Sequence, residues 1–442
     1  MGDATINGED DNVQNVSGGV FGGARQKGGG IVNITVAGGK IPEGGLFGGC
    51  NASGDITGNI SINVYRTSPA PTSNTYAICA VYGGGNQAAY TGTPQVTVHC
   101  TDEATPISIG EVYGGGNQAE VTGTDVKVYA GNRIGYVYGG GKAADVGSSG
   151  TSVNIYGGTL EHVFGGNNKS GTIADGTTGK IVVNVEKSGS CPMIIGEVYG
   201  GGNEAASQAG TITIGCTGDI VSGDGGHLAH PENIGHSLEG IGDLYGGARQ
   251  ANITSGDIVI DMTSGMVNRV FGGNNVSGDI SDSITVNINK DDGATCASDW
   301  YCGEVYGGGN QAHYSGTPLV KLQNGTIERD IYGGGNNITA DDEGVAASDV
   351  RMTGGTVKGS VYGGCNYKGT VKGTTSVAIS AGTVGVNNVA TGGCVYGGGL
   401  GSLTNVTGKA TVTISGTATI VHDVFGGGSQ GTVGSTHVTV KD

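Results

Sequence analysis

The sequence predicts an all-β fold: a parallel β-helix, or β-solenoid, of about fourteen glycine-rich coils. Three observations carry that expectation. A motif of one aliphatic residue, one aromatic and two glycines recurs fourteen times along the 442 residues. Short runs of alternating aliphatic and polar residues separate the copies. No stretch carries the periodicity of an amphipathic helix.

The aromatics of the motif are Phe21, Phe47, Tyr82, Tyr113, Tyr138, Phe164, Tyr199, Tyr245, Phe271, Tyr306, Tyr332, Tyr362, Tyr396 and Phe425. They use all 5 Phe of the chain and nine of its 18 Tyr. Their spacing is 25 to 35 residues, apart from one gap of 46 after Tyr199. A longer period lies above this one. Phe21 and Tyr245, Phe47 and Phe271, Tyr82 and Tyr306, and Tyr138 and Tyr362 are each 224 residues apart. "VYGGGNQAAYTGTP" from Val81 accordingly returns as "VYGGGNQAHYSGTP" from Val305. The chain reads as a single solenoid over 1–442, built from two duplicated seven-unit blocks at about 16–222 and 240–442. A His-containing insertion at about 223–239 joins them. A β-propeller is the alternative, but a blade takes four strands and about 40 residues. Most units here are shorter.

Within a unit, "DVKVY" from Asp125, "SVNIY" from Ser152 and "SVAIS" from Ser376 alternate with period two, as half-buried strands do. The Val, Leu or Ile before each aromatic is placed facing the core. The aromatic then faces the other way, into a second buried layer or onto an exposed stripe. Packing is the first reading, because aromatics at a structural period are usually structural. On the second reading Tyr82, Tyr113, Tyr138, Tyr306 and Tyr332 form a platform for sugars or a partner protein. The paired glycines mark a corner that needs either positive φ or no Cβ against the next coil. The Asn that follows them at Asn86, Asn117, Asn203, Asn310 and Asn336 is expected to stack as an amide ladder.

The net charge is −17, from 38 acidic and 21 basic residues, without a basic cluster. That argues against nucleic acid and anionic membranes as partners. No apolar run reaches the length of a membrane span. The opening "MGDATINGEDDNVQNVSGG" has neither the basic n-region nor the apolar h-region of a signal peptide. An extracellular location therefore implies a targeting segment outside this sequence. The 9 Cys are an odd number, too few for a disulfide scaffold. Cys50 and Cys365 stand at a motif position otherwise held by Gly, Ala or Asn and read as small packing residues. Cys296 and Cys302, in "TCASDWYC", are close enough in sequence to bridge.

The chemistry-bearing residues are few. "GGGN" opens no helix and lacks the P-loop lysine, and the glycines are not followed by the Asp of calcium-binding nonapeptides. Asp341, Asp342 and Glu343 read as a solvated acidic loop before a cation site. His227, His230 and His236, with Glu232 and Glu239, are metal-ligand types without a metal-site spacing; a solvated linker is preferred. Trp300 and Tyr301 either contact a sugar or partner or lie over the end of the core. Catalysis would need acids from neighbouring coils beside an Arg or Lys, with Asp55, Asp261 and Asp279 as scattered candidates. No catalytic residue, metal or cofactor is assigned.

The repeat "GTSVNIYGGTLEHVFGGNN" from Gly150 resembles repeats of bacterial surface proteins with right-handed parallel β-helix folds. The resemblance implies an adhesin-like, secreted or cell-surface protein without catalysis, presenting an extended face to a glycan or to a host or microbial surface protein. The same fold class holds polysaccharide lyases and hydrolases, so a polysaccharide-active enzyme is the alternative, and a structural spacer a third reading.

Overall fold

The computed structural model describes residues 2–6, 16–68, 75–102, 104–174, 180–217, 239–293, 300–339, 344–387 and 392–442. All regular structure among them is β-strand, and the strands pair in parallel. Each strand pairs with its counterpart in the next unit of the repeat, as in Tyr82↔Tyr113 and Val96↔Val126. A propeller blade would instead pair its strands antiparallel within one unit. The fold is a parallel β-solenoid.

The chain divides into two compact units, residues 1–210 with 231–240, and residues 211–230 with 241–442. In the first, seven strands end in the motif aromatic, from Val20–Phe21 through Ser108–Tyr113 to Met193–Tyr199. The alternating runs form a second column of strands, from Val32–Ala37 through Val121–Val128 to Ile181–Val185. A third face is made by single bridges on the polar return, such as Tyr90↔Val121 and Val146↔Ile173. The second unit repeats this plan, with aromatic strands from Gly240–Tyr245 to Val424–Phe425 and alternating strands from Ile258–Met262 to Thr432–Val440.

Alternation decides what enters the core. In Ile60–Arg66 the residues Ile60, Ile62 and Val64 are buried, whereas Ser61, Asn63 and Tyr65 point outward. The aliphatic before the aromatic is likewise inside: Val81, Val112, Val305 and Val361 have no exposed surface. Burying each such side chain is worth about 1.5–3 kcal/mol.

The corner glycines answer to crowding. A Cβ on Gly83 would lie 2.2 Å from the Gly114 carbonyl oxygen, and one on Gly114 2.3 Å from that of Gly139. Neither glycine has positive φ. The close approach serves hydrogen bonding, because Gly83 N–H donates to the Tyr113 carbonyl at 2.9 Å and Gly84 N–H to that of Gly115 at 3.1 Å. Positive φ is needed elsewhere, as at Gly158 and Gly265, where a turn enters the aromatic strand.

Cys100 and Cys191 form a disulfide across 91 residues of sequence in the first unit. Cys302 makes no bridge to Cys296: it is a free thiol with no exposed surface, and Cys296 lies outside the described residues. The strand Trp300–Tyr306 turns Cys302 inward, in register with Val267 and Ile327, so it fills an aliphatic core position. Cys50 and Cys365 are buried too, and burial pushes the Cys365 thiol up to about 11.

Candidate functional site

The motif aromatics form two columns of stacked rings, one in each unit. From Phe21 to Tyr199 adjacent centroids lie 4.6–5.0 Å apart, and from Tyr245 to Phe425 they lie 4.5–5.0 Å apart. This is the second buried layer, so the exposed-stripe reading is corrected. Tyr82 is 5% exposed, Tyr113 0%, and Tyr138, Tyr306 and Tyr332 1% each. Each ring face is covered by the next ring, and none of these five offers a face to a ligand. Burial pushes the phenols of Tyr82, Tyr113, Tyr306 and Tyr332 well above the ordinary tyrosine value.

Two further columns flank the rings. On one side stands the Asn after the glycines, and the expected amide ladder is present. Asn117 Nδ2 donates to Asn86 Oδ1 at 2.8 Å, and Asn86 Nδ2 to Asn51 Oδ1 at 2.8 Å. In the second unit Asn366, Asn336, Asn310 and Asn275 continue likewise at 2.8–2.9 Å. On the other side stands the residue two before the aromatic, which shares the ring's face of the strand. In the first four coils of the second unit this position is charged: Asp243, Arg269, Glu304 and Asp330. Asp243 is 1% exposed and takes two hydrogen bonds from the Arg269 guanidinium, at 2.7 and 2.5 Å. Glu304 pairs with Arg329 at 3.1 Å, and the phenols of Tyr245, Tyr306 and Tyr332 donate to Asp243, Glu304 and Asp330.

The first unit differs at the matching places. The counterparts of Asp243, Arg269 and Glu304, 224 residues earlier, are Gly19, Gly45 and Ala80. Without long side chains there, a groove of about 510 Å³ opens along the ring edges of Phe21, Phe47 and Tyr82. Its wall is the amide ladder Asn51–Asn86–Asn117, and Cys79 also lines it. At one end Lys142 pairs with Glu111 at 3.2 Å. An amide has two N–H donors, and the ladder uses one from Asn86 and one from Asn117. The site therefore offers an apolar floor, a row of amides and a self-neutralised charge pair. Burial raises the Cys79 thiol above its ordinary value, which keeps it protonated and a poor nucleophile at neutral pH.

The remaining sequence candidates do not join the groove. Trp300 and Tyr301 begin a strand of the second unit and are half-buried. The Trp300 indole lies against Gly325 and donates to the Thr326 carbonyl at 2.8 Å, which makes it a packed residue. Asp261 accepts from Asn287 at 2.6 Å on the alternating strands, whereas Asp279 pairs with His313, so these acids do not meet. Asp55 is exposed in the first unit. His227, His230, His236, Glu232, Asp341, Asp342 and Glu343 lie outside the described residues. Glu239 is described, and it pairs with Lys187 at 2.6 Å. Among the described residues no three His, Cys, Asp or Glu come together as a metal site requires.

Sequence reasoning missed a partly exposed aromatic column on the alternating strands of the first unit. Tyr65, 37% exposed, stacks on His99 at 4.2 Å; His99 is 6.5 Å from Tyr129, and Tyr129 stacks on Tyr156 at 4.5 Å. The signal was in "NVYR", "TVHC", "KVYA" and "NIYG", whose counterparts 224 residues on carry Asn289, Gln323, Thr353 and Ser380. The scaffold thus builds this column without aromatics in its second copy. The chain matches no family model, and comparison with curated proteins and with solved structures likewise finds no match.

Proposed function

We propose that this protein is a non-catalytic, adhesin-like β-solenoid of the bacterial surface or exterior that binds glycan through its first unit. One observation carries the reading: the two blocks share a scaffold, yet over their first three coils the face filled by Asp243, Arg269 and Glu304 in the second is an open groove in the first. Gly19, Gly45 and Ala80 keep the ring edges reachable where Asp243, Arg269 and Glu304 cover them. The Cys100–Cys191 disulfide supports an oxidising, extracellular setting. Glu111 is the one carboxylate among the groove-lining residues, and Lys142 holds it. Glycoside hydrolysis ordinarily uses a pair of carboxyl groups, so this lining favours binding over cleavage.

The Tyr65–His99–Tyr129–Tyr156 column favours a second reading, contact with a surface protein, since rigid aromatics among Ser and Asn suit protein recognition. Affinity electrophoresis through gels containing plant, host and microbial polysaccharides, stained afterwards for degraded polymer, separates the readings. Retardation without clearing is expected. Clearing supports the enzyme instead, and migration unchanged in every gel removes glycan binding and leaves protein contact or a spacer.

A further inference from the structure

We infer that the groove takes a linear, uncharged polysaccharide lying along the solenoid axis, with one sugar ring per coil; this rests on the glycan-binding reading above. The groove sets a ring edge beside an amide in two successive coils, Phe47 with Asn51 and Tyr82 with Asn86, and continues to the Phe21 ring on one side and to Asn117 on the other. The rings of Phe21, Phe47, Tyr82 and Tyr113 are 4.6–4.7 Å apart, which sets the rung spacing. A ligand that uses successive rungs must repeat its own groups at that interval. An extended peptide advances about 3.3 Å per residue and turns alternate side chains away, so it falls out of step. A 1,4-linked pyranose chain advances by close to one rung per sugar, and although successive β-linked rings are turned over, hydroxyl-bearing groups on both edges of each ring keep a partner for the amide at every rung.

The lining selects the same class. Because the ring faces are occupied by neighbouring rings, the floor presents ring edges, the positive rim of the aromatic quadrupole. Positive edges favour the ring and glycosidic oxygens of a sugar over the methylenes of an acyl chain. The amides of Asn51, Asn86 and Asn117 donate to and accept from hydroxyl groups. Lys142 is the one cation of the lining and is paired with Glu111, so an anionic polymer finds no uncommitted positive charge among the lining residues; the exposed Arg25 stands one coil beyond Asn51. A branch would meet the walls of a groove whose floor rings Phe47 and Tyr82 are only 4% and 5% exposed.

Calorimetry on the full chain tests this with cello- and manno-oligosaccharides of two to six sugars, an oligogalacturonate and a branched dextran. Affinity for the neutral linear series is expected to rise with length up to about three sugars, one for each open coil, and then level off as the rungs are used up. Ala80→Gln fills the groove with a side chain of the length that Glu304 has at the matching place, and it should weaken binding about tenfold or more. Asn86→Ala removes the central amide and should weaken it as well. Glu304→Gln, at the matching position in the second unit, should leave affinity unchanged. Thermal melts establish that each variant is folded. Undiminished binding by folded Ala80→Gln and Asn86→Ala, or preference for the charged or branched polymer, overturns the inference and leaves glycan binding standing. Absence of binding to all polymers removes both.

Discussion

Gly364 and Gly427 hold the same place in two coils of the second unit, the second glycine after the aromatic, yet they face different demands. A Cβ on Gly364 would lie 2.7 Å from the backbone nitrogen of Gly399, whereas one on Gly427 meets nothing within 4 Å. Neither has positive φ, so crowding alone separates them. Gly364→Ala is expected to cost about 1–3 kcal/mol, the range for overpacking, and Gly427→Ala to be near neutral or slightly stabilising. Denaturant unfolding of the two variants checks this, and equal effects would show that the glycines serve backbone freedom after all. Asp330 gives a second residue-scale expectation. Burial, with the Glu304 charge added, raises its carboxyl above the ordinary carboxylate range, against the hydrogen bonds from Ser360 N–H and Tyr332. A raised acid favours the folded state while it is protonated, below its unfolded value, and that contribution is lost as pH rises through the folded value. Asp330→Asn should therefore gain in melting temperature relative to the wild type as pH rises above the ordinary aspartate value of about 4. A difference that stays flat or falls as pH rises above that value contradicts the assignment.

At the scale of an element, the amide ladder and the ring column are both built from one residue per coil, and each is only as strong as its neighbours allow. Asn336 donates to Asn310 at 2.8 Å and accepts from Asn366 at 2.9 Å. Asn336→Ala removes the donor to Asn310 Oδ1 and leaves Asn366 Nδ2 with only its bond to the Tyr306 hydroxyl, at about 1–3 kcal/mol. Chemical denaturation measures the loss; a change under about 0.5 kcal/mol would mean that water replaces the rung. These columns were legible in the sequence because they depend on residue identity at a fixed offset from the aromatic. The groove was not, because it depends on the residue two before the aromatic, which follows no rule across the fourteen copies. Only the contrast of Gly19, Gly45 and Ala80 with Asp243, Arg269 and Glu304 gives that variation a meaning. The direction of the rings was likewise left open by alternation, which turns a side chain from the core without saying what covers it. The Cys100–Cys191 bridge lies beyond sequence reasoning, since 91 residues separate its ends and the coils bring them together.

At the scale of the whole molecule, each unit carries a seven-ring column, and the two columns differ in the chemistry that flanks them. The second spends its flanking positions on buried ion pairs such as Asp243–Arg269, which close the ring edges off. The first leaves three coils open beside its amide ladder and carries the additional Tyr65–Tyr156 column on its alternating strands. Binding is thus assigned to differences between the copies, and structure to what they share. The most direct measurement is an experimental structure of the full chain with a linear neutral hexasaccharide. The account predicts sugars along Phe21, Phe47 and Tyr82, one per coil, with hydroxyls on Asn51, Asn86 and Asn117. Sugars on the Tyr65–Tyr156 column, or on the second unit with the groove empty, would contradict it.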